Sequence, residues 1–393
     1  MGLTSHKVLA LVVLAAVLVM AATVWVWPRL AGGNWRAVLG RIGTLLGTQL
    51  VVICALGLVA NNYFAFYSSW DDLLGTGDQG AVTVHTKTAG KDPAGGRRIR
   101  VMPVQDLGRA AVQGGGAIGR DPKQAGEIQL VRIAGPATGL STDAYVYLPP
   151  QYFQPQYANR QFPAAVVMTG FPGDAKNLVT RLNYPGAALQ LLQDGKMQPT
   201  VLILMRPSPA MPADSECEDI PGGTQADSYF TKDVPQVIEA SYRVSADPHA
   251  WGVVGNSTGG YCALKLAMRH PDVYPNAVSI SGYYKAAEDE TTGDLFKGSR
   301  QRRDEADLMW RLKNLPQPAI SVMLSGSEEG DGDYKKETDA FEAAIQKPMN
   351  VSTATVPTGG HNFQTWTRLL PPSLEWLSQH LTVPAAPAVP TGA

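Results

Sequence analysis

Between Trp251 and Arg269 a short apolar run breaks at Gly255-Asn256-Ser257-Thr258-Gly259-Gly260 and resumes with the spacing of a helix. No other segment constrains the chain as much. A strand that becomes a helix within one residue needs a bend too sharp for side chains on its neighbours, and glycines at 255 and 259 meet that demand. Ser257, at the apex, then projects its hydroxyl above the sheet, and the following helix aims its first amides at negative charge developing there. G-x-S-x-G alone is a weak signal, because serine and glycine are common. With a strand before it and a helix after it, the segment reads as a nucleophile turn, against the plainer alternative of a structural glycine turn.

The surrounding sequence supplies the sheet such a turn requires. Short apolar runs bounded by turn residues occur at Ala164 to Thr169, Val201 to Met205, Ala250 to Val254, Ala277 to Ser281, Ala319 to Leu324 and Val351 to Val356. Helical spacing lies between them, as in Phe230, Val234, Val237 and Ile238. This alternation predicts a mostly parallel sheet flanked by helices on both faces. Ile128 to Ile133 and Ala144 to Tyr147 read as antiparallel strands leading into it.

A serine hydroxyl needs a positioned base, and behind a turn of this kind the chain order is serine, acid, histidine. Of the six histidines only His361 and His380 lie far enough downstream of Ser257. His361 sits in Thr358-Gly359-Gly360-His361-Asn362-Phe363, a glycine loop after the last strand, from which a side chain can return over the sheet edge. His380 ends an amphipathic helix and is more simply a charge at a helix C-terminus. The acid falls in Ser325-Gly326-Ser327-Glu328-Glu329-Gly330-Asp331, which offers three carboxylates. An oxyanion hole would use the amide of Thr258 and a second amide from the loop after an early strand; in Thr169-Gly170-Phe171-Pro172-Gly173 that donor is Phe171, since Pro172 has no N–H.

These residues resemble the esterase D-like family of α/β hydrolases, the group of carboxylesterases, feruloyl esterases, S-formylglutathione hydrolases and antigen 85-type mycolyltransferases. The resemblance runs from about Ile128 to Leu381. It rests on Tyr147-Leu148-Pro149-Pro150-Gln151-Tyr152, the Gly170-Phe171 loop, Tyr229-Phe230-Thr231-Lys232-Asp233-Val234-Pro235, the Gly255 to Gly260 turn with His270-Pro271-Asp272 beyond it, and His361 followed by Trp366. It implies the α/β-hydrolase fold and metal-free ester hydrolysis or acyl transfer through an acyl-serine intermediate. In related hydrolases the acid commonly stands three residues after the glycine of its turn. From Gly326 this selects Glu329, with Glu328 as the alternative and Asp331 further along. The leading reading is a serine esterase acting on a small-molecule, lipid or glycan ester. An acyltransferase working on envelope glycolipid or polysaccharide is the alternative, and a non-catalytic envelope-binding module is a third. No cofactor and no metal are expected, since the acidic run from Glu328 to Asp333 lacks the ligand spacing of a calcium loop.

The rest of the sequence bears on location. Val8 to Pro28 and Ile42 to Ala60 carry no charge. At about 1.5 Å per residue, each is long enough to cross an apolar layer of about 30 Å. They predict two transmembrane helices, about 8–28 and 42–60, forming a hairpin within a membrane anchor of residues 1–74. Gly43 and Gly47 have the spacing of a close helix crossing. Arg29, Arg36 and Arg41 fall between the spans, whereas Asp71 and Asp72 follow the second. By that bias the loop is cytoplasmic and the remainder extracytoplasmic, giving a multi-pass protein of the cell membrane whose lipid contacts run through the hairpin. Residues 75–127 read as a glycine-rich tether, 128–382 as the catalytic domain and 383–393 as a loose Pro/Ala tail. With Cys54 in an apolar run, only Cys217 and Cys262 are available to bridge in a soluble domain. The formal net charge of −1 provides no field for a polyanion, so nucleic acid is not an expected partner.

Overall fold

The two apolar runs and the strand–helix alternation fall in different parts of the structure. In the computed structural model, which describes residues 6–64, 102–110 and 121–383, the chain divides into two compact units, Met1–Ala94 and Gly95–Ala393.

The described part of the first unit is a helix pair, α1 (His6–Val26) and α2 (Trp35–Phe64), joined by a 3₁₀ turn at Trp27–Leu30. Both helices are long and apolar enough to cross a membrane. Leu11, Leu18, Val24, Leu46, Leu50, Ile53 and Leu56 are exposed on them. The second helix starts earlier than its uncharged run, because Asn34 caps it by accepting from the Ala37 amide at 2.8 Å. Arg36 and Arg41 therefore lie on the helix and not in the loop. The expected crossing at Gly43 and Gly47 does not occur, since a Cβ at either position would meet nothing within 4 Å. A hydrogen bond between the Thr23 and Thr48 hydroxyls, 2.8 Å long, joins the helices instead. Asp71 and Asp72 lie outside the described residues.

The described residues of the second unit are built on one nine-stranded sheet: β1 (Gln105–Ala110), β2 (Glu127–Ala134), β3 (Ser141–Leu148), β4 (Ala164–Met168), β5 (Val201–Met205), β6 (Trp251–Asn256), β7 (Asn276–Ile280), β8 (Ser321–Glu329) and β9 (Asn350–Thr358). Their order is β1-β2-β3-β5-β4-β6-β7-β8-β9. Pairing is antiparallel from β1 to β5 by way of β2 and β3, and parallel from β5 onwards. All eight expected strands are present.

The expected tether is corrected in part. Gln105–Ala110 forms an edge strand on β2, and Pro122–Ala125 makes one helical turn before β2. The edge strand carries no apolar alternation because it adds little to the core; its pairing is backbone to backbone, with a register shift at Gly108. Residues 65–74 of the expected anchor, 75–101 and 111–120 of the tether, and 384–393 of the tail, lie outside the described residues.

Every residue of β4, β5, β6 and β7 is buried, as expected for parallel strands covered on both faces. On one face Val166, Val253 and Val322 pack with Val237 and Ile238 of helix α4 (Val234–Ser241) and Leu264 of α5 (Thr258–Arg269). On the other, Val167, Val254 and Val278 pack with Leu189 of α3 (Tyr184–Gln193) and with Leu370, Leu374 and Leu377 of the C-terminal helix Phe363–His380. Each such fully buried aliphatic side chain contributes about 1.5–3 kcal/mol. The chain runs outward from β4 to β5 and then returns to β6 on the opposite side of β4. That reversal opens a crevice beyond the carboxyl ends of β4 and β6, where α/β sheets bind ligands.

Candidate active site

Both sides of that crevice carry residues singled out by the sequence. Ser257 stands between β6 and α5 with φ +55° and ψ −124°, a backbone conformation that non-glycine residues rarely adopt. Its neighbours account for the strain. A Cβ on Gly255 would come within 2.2 Å of the Gly259 backbone, and one on Gly259 within 2.3 Å of the Met168 carbonyl oxygen. The two glycines thus let the turn close and let α5 sit against the end of β4.

His361 comes from the loop after β9 and directly precedes Asn362, which caps the C-terminal helix by accepting from the Thr365 amide at 3.1 Å. The imidazole meets the edge of Trp366, ring centroids 5.1 Å apart. Its Nε2 lies 2.8 Å from Ser257 Oγ and its Nδ1 lies 3.0 Å from Asp331 Oδ1. His380 instead bonds the Trp376 carbonyl within its own helix.

Asp331, not Glu329, is therefore the carboxylate against the histidine. β8 continues five residues past the apolar run, and Glu329 still pairs with Thr358 of β9, its side chain in solvent. Glu328 also faces solvent, 3.4 Å from Lys335 Nζ. The loop begins only at Gly330, whose φ of +99° turns the chain against Gly359 and delivers Asp331 as the first carboxylate beyond the strand. Counting from Gly326 misplaced the acid because that glycine lies inside the strand.

The Gly170-Phe171 loop lies beside the serine: a Cβ on Gly170 would sit 2.9 Å from Ser257 Cβ. Gly173 donates to the Gly170 carbonyl at 2.8 Å. Asp174 anchors the loop by accepting from Arg206, which follows β5, and from the Lys176 amide at 2.7 Å. Thr258, which follows Ser257, is buried.

Charged groups to which the sequence reading gave no role cluster on α5 and the loops packed against it. Lys265 of α5 is fully buried, with Glu218 Oε1 3.0 Å away, and Arg269 reaches the same oxygen at 2.8 Å. Asp227 accepts from His270 at 2.6 Å. Burial pushes the Asp227 carboxyl up, but His270, Lys265 and Arg269 together overcome it and hold the group at about 2. Cys217 and Cys262 form a disulfide that ties the loop before α4 to α5. The sequence signals for this cluster are Lys265 and Arg269 at i, i+4 on an otherwise apolar helix face, and the His270-Pro271-Asp272 motif that follows them.

This strand order, with a strained serine in hydrogen-bonding contact with a histidine and an aspartate at the carboxyl end of the sheet, defines an α/β hydrolase. Residues 135–377 match the family model described as "Putative esterase", and the chain belongs to that family, the esterase D-like group of α/β hydrolases. An uncharacterized protein of Corynebacterium glutamicum is 26% identical over 279 residues, 66% of this chain and 63% of that protein. The MPT51 antigen of Mycobacterium leprae is 34% identical over 80 residues, 20% of this chain and 26% of the antigen. S-formylglutathione hydrolase of Bos taurus is 28% identical over 110 residues, 26% of this chain and 38% of the enzyme. The matches span less than two thirds of each of these relatives. Among solved structures, an S-formylglutathione hydrolase from Agrobacterium tumefaciens superposes with a TM-score of 0.57 at 13% identity, covering 72% of this chain and all of that one. A ferulic acid esterase gives 0.54 at 16% identity, covering 65% and 98%. Likeness at that level of identity establishes the fold.

Proposed function

We propose that this chain is a serine esterase that hydrolyses carboxylic esters through an acyl-serine intermediate and is held at a membrane by α1 and α2. The observation that carries the reading is the continuous contact from Ser257 Oγ through His361 to Asp331, at 2.8 and 3.0 Å. His361 Nε2 takes the hydroxyl proton as Ser257 Oγ bonds to the ester carbonyl carbon. The resulting oxyanion accepts from the amides of Thr258 and Phe171. Asp331 holds the imidazole in the tautomer that keeps Nε2 free and stabilises the imidazolium. Nε2 then returns the proton to the leaving alkoxide as the ester C–O bond breaks. Water repeats the sequence on the acyl-serine, releasing the acid and restoring the hydroxyl. A sugar alcohol in place of that water would give acyl transfer by the same groups, and product analysis with a glycan acceptor present separates the two.

Ser257→Ala should abolish turnover of p-nitrophenyl esters and labelling by a fluorophosphonate while leaving the circular dichroism spectrum unchanged, because the triad acts as a unit. Residual turnover above about one per cent of wild type in Ser257→Ala would refute the assignment.

A further inference from the structure

Thr258, the proposed oxyanion donor beside Ser257, is tied by its side chain to a buried acid that the hydrolytic scheme does not use. The Tyr283 hydroxyl lies 3.0 Å from Thr258 Oγ1 and 2.6 Å from Glu216 Oε1. Glu216 is fully buried. The backbone around it is strained and held from several sides. Glu216 and Cys217 both have positive φ, 47° and 51°. The Glu216 amide donates to Asp214 Oδ1 at 3.0 Å, its carbonyl accepts from Lys265 Nζ, and Cys217 is bridged to Cys262 on α5. Non-glycine residues persist in such conformations only where their surroundings over-determine them, and they gather at functional sites. The disulfide and the lysine fix the acid to the same helix that begins at Thr258. The Tyr283 ring is fixed in turn, stacked on Tyr261 of α5 with centroids 5.1 Å apart.

We propose that Glu216 and Tyr283 are positioning residues for the oxyanion hole: the chain Glu216–Tyr283–Thr258 holds Thr258 so that its amide faces the reacting carbonyl. This rests on the reading of Ser257 as nucleophile and Thr258 as oxyanion donor. Tyr283 has one proton for two bonds. When Glu216 is protonated its O–H donates to the tyrosine oxygen, and the tyrosine O–H donates to Thr258. When Glu216 is ionised it accepts from Tyr283, and the Thr258 hydroxyl must donate in turn. Ionisation therefore reverses both bonds and sets a buried negative charge behind the point where the substrate oxyanion forms. Like charges in a low-dielectric site raise the barrier, so the protonated acid is the productive form.

Burial, with the neighbouring Asp214 carboxyl, pushes Glu216 up to about 8, against the opposing pull of the Tyr283 bond and Lys265. Asp214 is itself pushed up to about 6 by burial, with Asp289 adding to the rise. The groups facing Glu216 are thus Asp214 on its own loop, Lys265 on α5 and Tyr283 after β7, with Asp289 acting through Asp214. The sign follows: Glu216 carries its proton below about pH 8 and loses it above, so kcat falls as the pH rises through that value.

Steady-state kinetics of the full chain in detergent, with p-nitrophenyl butyrate from about pH 6 to about pH 9.5, test this. Tyr283→Phe keeps the stacked ring and removes both bonds. It should lower kcat by about tenfold or more with KM changed less than about twofold, because a displaced oxyanion donor is lost from the transition state and not from binding. Glu216→Gln, which cannot ionise, should lack the alkaline decline that wild type shows around pH 8. Wild-type kcat in Tyr283→Phe, or an unchanged alkaline decline in Glu216→Gln, overturns the proposal. Should Tyr283→Phe fail to fold, Thr258→Val breaks the chain at its other end; the same loss of kcat supports the proposal and an unchanged kcat overturns it. Turnover persisting in Ser257→Ala would defeat the underlying site assignment. An inactive Ser257→Ala beside a fully active Tyr283→Phe defeats only the positioning network.

Discussion

At the scale of single residues, Asp331 owes its place to a turn that begins only at Gly330, past the end of β8, and its neighbours show what it would be otherwise. Glu328 and Glu329 have the same chemistry, yet one lies near Lys335 and the other closes a strand in solvent. Asp331→Asn should lower kcat by about three to four orders of magnitude, because an amide favours the tautomer that leaves Nε2 unable to accept the serine proton. Glu329→Gln should stay within about twofold of wild type, since a solvated carboxylate gives the imidazole no oriented partner. The opposite ranking in steady-state kinetics would move the acid to Glu329. Ser257 and His361 were legible in the sequence because what selects them is local: a glycine two residues to either side of the serine, and a glycine pair before the histidine. What selects the acid is not local. The apolar signal of β8 stops at Leu324, but the strand continues through Ser325, Gly326 and Ser327 because β9 offers ladder partners as far as Thr358. A hydrophobic pattern cannot register bonds made by a neighbouring strand.

At the scale of elements, the same distinction between local and borrowed stability divides what could be read from what could not. The central parallel strands announce themselves because both faces are buried. The edge strand β1 does not, because its sequence Gln105-Asp106-Leu107-Gly108-Arg109-Ala110 is held by the β2 backbone and by Arg109 contacts to Asp106 and Glu127 at 3.1 and 2.9 Å. The loop before α4 is a further case of borrowed order. It packs three carboxyl groups, Asp214, Glu216 and Glu218, into the interior, where Lys265 and Arg269 face Glu218 and Tyr283 faces Glu216. Its covalent tie spans 45 residues, from Cys217 to Cys262. By loop-closure entropy, such a link should stabilise the unit by about 4 kcal/mol. Replacing both cysteines by serine should lower the denaturant midpoint accordingly in equilibrium unfolding. A variant as stable as wild type would mean that the ion cluster alone holds the loop.

At the scale of the whole molecule, the two units make opposite demands on their surroundings. Gly95–Ala393 encloses its own core on both faces of the sheet, and among its described residues the exposed large apolar side chains are Met102 and Met211. The helix pair has almost no core: Leu11, Leu14, Val17, Leu18, Leu46, Leu50, Ile53 and Leu56 are exposed on helices whose only described charged side chains are Lys7, Arg29, Arg36 and Arg41 or their immediate flank. In water that surface would drive association, whereas acyl chains would cover it at no cost. The interhelical bond between Thr23 and Thr48 fits the same medium, because a hydroxyl without a partner in hydrocarbon is costly. Each described member of the proposed triad lies in the second unit, between Ser257 and His361. The full chain should therefore remain in the membrane fraction after alkaline carbonate washing. A chain that begins at residue 102 should be soluble, and its kcat/KM on short water-soluble p-nitrophenyl esters should stay within about twofold of the full chain, since no group that makes or breaks a bond is removed. Fractionation followed by kinetics on both forms tests this. A truncated chain that still sediments with membranes would place a second lipid contact on the catalytic unit, and one that folds but loses activity would mean that the helix pair contributes to the site.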